Sequence, residues 1–345
     1  MPALPREPAT VLRVDRKRVL VDAGGMEVAV QMRGRVAGAR GRTTCAVAAG
    51  DLVTIERTDA ASGVIVAVEP RKSALLRPEV AGRWRHQVLV ANADRAVLVF
   101  AHADPAPAAG LVDRLLVACH AGDVPPVLVF NKCDLEASER TTALVALYRR
   151  LGYEVVSTSA ERGDGVERIA ELVRGRCSVF AGPSGTGKSS LINRVLPGVR
   201  LRTGEISRAT GKGRHTTTAA QLVRIEDGGG HVIDTPGVKE FGLLGIAPAD
   251  LALHFPEFPV PNRCRFLDCR HLREPGCAVR AAALDGGVAA SRYESYEEFR
   301  AELEQTDREE REGETASRTG GGAREPHGGS RALPLGRRRG GRGRA

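Results

Sequence analysis

The sequence predicts a multidomain protein in which a small β-barrel is followed by an α/β domain and by a small metal-binding α domain. Three observations lead to this fold class. Short apolar runs with turn residues fill the first 70 residues, apolar runs then alternate with helical patterns, and cysteines cluster near residue 270. With 345 residues, of which 42% are hydrophobic, the chain can bury more than one core.

Residues 1–75 carry the pattern of the barrel. Five short strands separated by glycine-rich turns are typical of a barrel of the oligonucleotide-binding type. A basic loop, Arg33–Arg42, interrupts them and is suited to contact nucleic acid, although a solvated loop without a partner fits as well. The stretch after Pro78, which contains Trp84, is interpreted as a connection. The strands are expected at Thr10–Val14, Val19–Val21, Glu27–Val30, Asp51–Ile55 and Gly63–Val68.

Residues 76–246 carry the pattern of the α/β domain. Continuous apolar runs with helical segments between several of them indicate a mostly parallel sheet that is covered on both faces. The six strands are expected at Ala96–Phe100, Val127–Phe130, Glu154–Ser157, Ser178–Phe180, Gln221–Ile225 and His231–Ile233.

A phosphate-binding loop lies between the fourth of these strands and a helical segment. Gly182 to Ser189 fits the pattern G-x-x-x-x-G-K-S in the strand and helix context that the motif requires. Its glycines let backbone N–H groups and a helix N-terminus point at phosphate oxygens. Lys188, a candidate catalytic residue, is expected to reach the β- and γ-phosphates, and the Ser189 hydroxyl is expected to ligate Mg²⁺.

Guanine is the base that the neighbouring motif predicts. Asn131-Lys132-Cys133-Asp134 follows a buried strand, at the edge where α/β proteins bind ligands. Asp134 would accept hydrogen bonds from guanine N1–H and the exocyclic amine, while Asn131 and Lys132 would brace the loop and cover the base. Ser159-Ala160 ends the next strand, where the Ala160 N–H is placed to bond guanine O6.

Two further segments resemble nucleotide switches. Asp234-Thr-Pro-Gly237 ends a strand, which would place Asp234 near Mg²⁺ and the Gly237 N–H near the γ-phosphate. The basic stretch Gly204–Thr218 has no periodicity and is expected to order when a threonine, for which Thr217 is the candidate, contacts Mg²⁺ and the γ-phosphate.

The group that orients the attacking water is the least defined part of this site. Val238 follows Gly237 where Ras-like enzymes carry a water-orienting glutamine, and valine cannot do this. We hypothesise that His215 or a partner supplies the function and that intrinsic hydrolysis is slow. A solvent-exposed loop histidine without a catalytic role is nearly as consistent with the sequence.

The cysteine cluster indicates a structural zinc site within residues 247–310. Cys264, Cys269, His271 and Cys277 follow the spacing C-x4-C-x-H-x5-C. Three thiolates and one imidazole complete a tetrahedral Zn²⁺ site with no open position for catalysis. An apolar stripe at helical spacing is expected to pack on this module, and it consists of Tyr293, Tyr296, Phe299 and Leu303.

Charge and composition restrict the location and the partners. The chain has a formal net charge of +9, and residues 311–345 contribute nine arginines and three glutamates to it. We expect this tail to be disordered and to attract RNA, although a solubilising terminus is equally consistent. The sequence has no signal peptide and no membrane-spanning run, so we expect a cytoplasmic protein without a membrane partner.

The motifs occur in rotated order: the base-reading motif comes first, the phosphate loop second and the Asp-Thr-Pro-Gly turn third. With the zinc pattern behind them, they resemble the ribosome small subunit-dependent GTPase A (RsgA/YjeQ) family of circularly permuted GTPases. The resemblance implies a circularly permuted α/β P-loop GTPase domain between the barrel and the zinc domain. It also implies binding to the 30S subunit and 16S rRNA, late subunit maturation and 30S-stimulated hydrolysis of GTP to GDP.

The resemblance assigns residues to both sites, and we further expect a monomer. The nucleotide residues are Asn131, Lys132, Asp134, Ser159, Ala160, Gly182, Gly185, Thr186, Gly187, Lys188, Ser189, Ser190, Asp234 and Gly237, and the zinc ligands are Cys264, Cys269, His271 and Cys277.

Two other functions remain compatible with the sequence. An RNA-binding scaffold would use nucleotide only to stabilise its fold, and Val238 keeps this alternative open. A P-loop kinase or ATPase would not need Asp134 for its nucleotide preference.

Overall fold

The N-terminal part of the chain forms a closed five-stranded barrel. The structure is a computed structural model that describes residues 6–15, 18–32, 47–59, 61–78, 86–196, 221–225, 229–234, 243–259 and 263–319. The five predicted barrel strands are confirmed, in the order β1-β2-β3-β5-β4, with β3 and β5 parallel and the other pairs antiparallel. The strands are β1 (Arg6–Val14), β2 (Val19–Ala23), β3 (Met26–Met32), β4 (Leu52–Arg57) and β5 (Ser62–Val68).

The alternation of side chains along each strand explains how these strands share one core. Successive side chains of a strand point to opposite faces, so every second residue can enter one core. Val19 and Val21 of β2 and Val28 and Val30 of β3 are buried in this way, together with Ile55 of β4. The basic loop Arg33–Arg42 lies outside the described residues.

Two strands were not predicted, and the second of them lies in the stretch after Pro78 that was interpreted as a connection. They are β6 (Ala74–Pro78) and β7 (His86–Ala91), which form an antiparallel pair. Leu75 and Val90 are buried in the same core as one face of the α/β sheet. The pair therefore joins the barrel to the next domain through packed side chains, whereas Trp84 lies outside the described residues.

The central sheet has six strands in the order β10-β9-β8-β11-β13-β12. Five are parallel, and β12 is an antiparallel edge strand, so the mostly parallel sheet is confirmed. The strands are β8 (Arg95–Ala101), β9 (Pro126–Asn131), β10 (Val155–Ser157), β11 (Cys177–Ala181), β12 (Gln221–Arg224) and β13 (His231–Asp234).

Helices cover both faces of this sheet. On one face, α1 (Ala109–Ala121) and α2 (Glu139–Arg150) pack on Leu98 and Phe100 of β8. On the other face, α3 (Val166–Val173) and α4 (Lys188–Val195) pack against β8 residues Val97 and Val99. Because β8 is buried on both faces, its sequence is continuously apolar rather than alternating.

The C-terminal domain packs against α1. It contains a 3-10 helix (Pro248–His254), α5 (Ala278–Leu284) and the long α6 (Ala290–Thr319). Three members of the predicted apolar stripe of α6 are buried: Tyr296, Phe299 and Leu303 share a core with Leu251 and Phe255, and the fourth, Tyr293, is partly buried against it. Within the described ranges, the helices lack the length or the apolar character needed to cross a bilayer.

Helix α6 also corrects the expected start of the tail. Residues 311–319 continue this helix, although the sequence analysis placed disorder from residue 311 onwards. The segment is charged but not glycine-rich enough to stop a helix, and pairs one turn apart support it, such as Arg311 and Asp307 with Nη2 and Oδ2 at 2.9 Å. The remainder of the predicted tail, residues 320–345, lies outside the described residues.

Candidate nucleotide and metal sites

The predicted nucleotide motifs lie at the ends of four strands, at one edge of the central sheet. Strands β9, β10, β11 and β13 are mutually parallel and end at Asn131, Ser157, Ala181 and Asp234. Parallel strands end at the same edge, which is where open α/β sheets bind their ligands. The predicted residues that follow these ends are Lys132, Asp134, Ser159, Ala160, Gly182, Gly185, Thr186, Gly187, Lys188, Ser189 and Ser190.

The phosphate loop requires its first and last glycines for steric reasons. A Cβ on Gly182 would lie 2.0 Å from the carbonyl oxygen of Val99 in the neighbouring strand. A Cβ on Gly187 would lie 2.4 Å from Nδ2 of Asn131, and Gly187 also has a left-handed φ of 80°. Between them, the Thr186 hydroxyl donates to the Pro183 carbonyl oxygen at 3.0 Å. The loop thus lies against the base-reading motif and leads directly into α4.

Asn131 joins the three motifs that the sequence separates. Its Nδ2 donates to the carbonyl oxygen of Thr186 in the phosphate loop at 2.9 Å. Its Oδ1 accepts from the Thr158 hydroxyl at 3.1 Å and from the Ala160 N–H at 3.0 Å. The side chain is buried, and buried amide groups are stable only when their polar atoms are paired. These contacts hold the phosphate loop and the two base-reading segments in one arrangement.

Asp134 is oriented by the segment that follows β10. The Ser159 hydroxyl donates to Asp134 Oδ1 at 2.5 Å, and the Arg162 N–H in turn donates to Ser159 Oγ at 3.0 Å. This hydrogen bond from Ser159 lowers the pKa of Asp134, which keeps the carboxylate ionised. An ionised carboxylate is an acceptor only, which is the property needed to bind two neighbouring N–H groups of guanine.

The loop after β8 is a part of the site that the sequence analysis missed. Lys132 has a left-handed φ of 61°, and its Nζ donates to the carbonyl oxygen of Asp104. His102 Nε2 lies 3.2 Å from Ser157 Oγ, and a Cβ on Gly185 would lie 3.5 Å from Pro105 Cδ. Strand β8 ends at the same edge of the sheet as β9 and β11. The predicted position of β8 could therefore have indicated that the loop after it belongs to the site.

The switch residues are only partly described. Asp234 is the last residue of β13 and is paired in register with Phe180, which lies two residues before the first glycine of the phosphate loop. His215, Thr217, Gly237 and Val238 lie outside the described residues, so the structure neither supports nor opposes their predicted roles.

The predicted zinc ligands converge in the C-terminal domain. The thiol sulfurs of Cys264, Cys269 and Cys277 and a ring nitrogen of His271 all lie within 4.8 Å of one another. His271 Nδ1 lies 3.5 Å from Cys264 Sγ and 3.6 Å from Cys277 Sγ. Tetrahedral zinc with one nitrogen and three sulfur ligands separates its ligand atoms by about 3.5–3.8 Å, so the donor set and its spacing fit Zn²⁺.

Backbone N–H groups and α6 hold this cluster in place. The Ala278 N–H points at Cys264 Sγ at 3.3 Å and the Arg280 N–H points at Cys277 Sγ at 3.4 Å, which favours thiolates. From α6, the Tyr293 hydroxyl donates to the His271 carbonyl oxygen and the Tyr296 hydroxyl to the Arg270 carbonyl oxygen, both at 2.8 Å. The cluster can therefore hold a structural metal ion.

A buried ion network fixes the C-terminal domain to α1. Arg292 of α6 donates to Asp113 Oδ1 of α1 at 2.6 Å and to Glu257 Oε1 at 2.5 Å. Ser295 and Tyr148 also donate to Asp113, at 2.6 and 2.5 Å. Burial by itself lowers the pKa of Arg292, but the hydrogen bonds and charges of Glu257 and Asp113 outweigh it and raise that pKa. The guanidinium is therefore fully charged inside the interface.

The strand order, the phosphate loop and the shared edge of the base-reading motifs define this chain as a circularly permuted P-loop GTPase. Residues 68–244 match the model of the RsgA GTPase family. The chain belongs to this family, and its activity is the hydrolysis of GTP, for which a guanine nucleotide and Mg²⁺ are required.

Relatives and solved structures agree with this assignment. The chain is 46% identical over 266 residues to the small ribosomal subunit biogenesis GTPase RsgA of Ectopseudomonas mendocina, covering 76% of each chain. It is 44% identical over 283 residues to RsgA of Gemmatimonas aurantiaca, covering 81% of this chain and 91% of the relative. YjeQ from Thermotoga maritima has a TM-score of 0.69 at 34% identity, covering 87% of this chain and 99% of that one. The circularly permuted GTPase YloQ has a TM-score of 0.64 at 25% identity, covering 87% and 96%.

Proposed function

We propose that this GTPase acts in the biogenesis of the small ribosomal subunit, as the names of its relatives state for them. It binds the 30S subunit through 16S rRNA as a cytoplasmic monomer, and the subunit stimulates its hydrolysis of GTP. The proposed partner rests on the 44–46% identity to these relatives, and the guanine-nucleotide site rests on the contact of Asn131 with both the phosphate loop and the Ala160 segment. One buried side chain thus links phosphate binding to base recognition.

In this proposal, different residues of the chain bind the base, the phosphates and Mg²⁺. Asp134, held by Ser159, accepts from the guanine ring, while Lys132 and the Ala160 N–H complete the base site. Lys188 and the N–H groups of the loop, from Gly182 and Gly185 to Ser190, neutralise the phosphates. Ser189 and Asp234 hold Mg²⁺, which would offset phosphate charge, and Thr217 and Gly237 respond to the γ-phosphate. His215 or the subunit orients the attacking water.

Nucleotide-dependent binding to the subunit tests the proposed partner. A GTPase that leaves its assembly after turnover must bind it more tightly with GTP than with GDP. We therefore expect the chain to co-sediment with purified 30S subunits in a non-hydrolysable GTP analogue and to be released in GDP. Lys188→Ala is the control, because it removes a phosphate contact and should abolish the difference between the nucleotides. Equal binding in both nucleotides would favour the scaffold instead.

We further propose that the cysteine and histidine cluster holds one structural zinc ion. The segment around it is short and polar, so the metal supplies folding energy that a small apolar core cannot. Cys264→Ser should reduce zinc to well below one ion per chain by elemental analysis and should expose the C-terminal domain to proteolysis. Cys133→Ser removes a thiol outside the cluster and should keep the full zinc content. A full zinc content in Cys264→Ser would contradict the assignment.

A further inference from the structure

The turn between the first two cysteines of the metal cluster exposes two large apolar side chains. Leu267 is 94% exposed, more than any other large apolar side chain in the described part of the chain, and Phe266 is 39% exposed. Neither is needed for the metal or for the core of the domain. Leaving apolar side chains in water is unfavourable, and such a cluster often marks a binding surface.

The surroundings of this turn are strongly basic. Residues 263–273 contain four arginines and one aspartate. Within the described residues, Arg263, Arg265 and Arg273 are exposed and form no ion pair, whereas Arg270 pairs with Glu274 through Nε and Oε1 at 3.2 Å. The Arg265 guanidinium lies over the Phe266 ring, 5.6 Å from its centroid. Uncompensated positive charge next to an aromatic face suits an anionic, aromatic partner.

The turn is also held in a defined shape. The cluster residues Cys264 and Cys269 stand at its two ends, and the Arg265 N–H donates to the Gly276 carbonyl oxygen at 3.1 Å. Tyr296 of α6 anchors its exit through the Arg270 carbonyl oxygen. A loop that is already ordered loses little conformational entropy on binding, so its few side chains can contribute most of their contact energy.

We propose that the turn between Cys264 and Cys269 binds unpaired bases of RNA, with Phe266 stacking on a base and Leu267 packing beside it. The neighbouring exposed arginines, Arg263, Arg265 and Arg273, contact phosphates. This inference rests on the proposed function and identifies one RNA-contacting surface within it. Two apolar side chains cover far less area than a stable protein interface buries. Stacking on single aromatic side chains next to arginines is instead the usual mode of binding single-stranded RNA.

Matched substitutions test the surface. Phe266→Leu keeps an apolar side chain but removes the aromatic face, and Leu267→Ala removes the neighbouring contact. Each should weaken binding to purified 30S subunits and to protein-free 16S rRNA. For Phe266→Leu we expect about tenfold, within the roughly 5- to 150-fold that one stacked base contributes. Leu284→Ala is the matched control: Leu284 is 80% exposed in the same domain but precedes Asp285 rather than arginines, so binding should be unchanged. Zinc content and GTP affinity should match the unchanged chain in all three variants.

A spectroscopic variant reports stacking itself. Phe266→Trp keeps an aromatic face, so it should bind RNA at least as well as the unchanged chain. Its added fluorescence, measured against the background of Trp84, should be quenched on binding to 16S rRNA, since a base stacked on the indole quenches it.

The possible outcomes separate this inference from the proposed function. If the unchanged chain binds subunits and RNA but Phe266→Leu and Leu267→Ala bind equally well, the inference is wrong while the proposed function stands. Weaker binding to subunits with unaltered binding to protein-free RNA would assign the turn to a ribosomal protein and would also overturn it. If the unchanged chain binds neither, both the proposed function and this inference fail.

Discussion

Asp134→Asn should lower the affinity for GTP and GDP by about 10²–10⁴-fold, because it removes the charge from the acceptor of two guanine hydrogen bonds and turns one acceptor into a donor. Hydrogen bonds to a charged acceptor are each worth about 1.5–3 kcal/mol. Asparagine also directs an amide donor at the exocyclic amine of guanine, which is itself a donor. Xanthine has a carbonyl oxygen there, so the variant should prefer xanthosine nucleotides. Equilibrium titration with GDP and xanthosine diphosphate measures the change.

Ser159→Ala is the matched control for this exchange of specificity. It removes the hydroxyl that holds Asp134 Oδ1 at 2.5 Å but leaves the carboxylate in place. The pKa of Asp134 should then rise towards its ordinary value, and GDP binding should weaken moderately with no gain for xanthosine diphosphate. If Asp134→Asn kept its preference for GDP, the proposed base site would be wrong.

Arg292→Met should be the most destabilising single substitution at the interface between the C-terminal domain and α1. It leaves the buried carboxylates of Asp113 and Glu257 without their cation, and breaking such a pair costs about 3–5 kcal/mol. The melting temperature should fall accordingly. Arg311→Met is the control on the same helix, because the Arg311 side chain is 78% exposed and its pair with Asp307 contributes about 0–1 kcal/mol.

A multiple substitution separates charge from packing at this interface. Replacing Asp113 and Glu257 by Asn and Gln in the Arg292→Met chain removes the unpaired charges and should recover part of the lost stability. Equal melting temperatures for Arg292→Met and Arg311→Met would show that the buried network contributes no more than a surface pair. The network then could not be what holds the zinc-cluster domain on α1.

The interface matters for function because of the rotated motif order. After the predicted turn at Gly237, the chain passes through the 3-10 helix Pro248–His254 and reaches the first cluster residue, Cys264. The 3-10 helix packs between α1 and α6, next to the Arg292 network. A rigid contact here would let a change near the γ-phosphate move the turn between Cys264 and Cys269, which we propose binds RNA.

Local patterns were sufficient to predict the barrel strands, the six-stranded sheet and the grouping of the three cysteines with His271. Strands β2 and β3 are buried on one face, so core-facing apolar residues alternate along them with more exposed ones. Strands β8 and β9 are buried on both faces, so their sequences are continuously apolar. The glycine-rich loop and the cysteine spacing are similarly local, since their chemistry requires fixed residue types at fixed intervals.

Features that depend on distant partners were not predictable. Strands β6 and β7 pair only with each other, and their apolar runs look like any connection until Leu75 and Val90 enter a common core. Arg292 lies 179 residues from Asp113, so nothing local indicates their contact. The Lys132 Nζ donates to the Asp104 carbonyl oxygen, and a backbone acceptor likewise carries no sequence signal.

Turnover of GTP with and without purified 30S subunits tests the central claim most directly. We predict slow hydrolysis by the chain alone and an increase of at least about tenfold at saturating subunits, because the subunit completes the hydrolytic site. Gly187→Ala, whose Cβ would lie 2.4 Å from Asn131 Nδ2, should lose this stimulated turnover. An unchanged rate on adding subunits would contradict the account and would leave an RNA-binding scaffold that merely holds nucleotide.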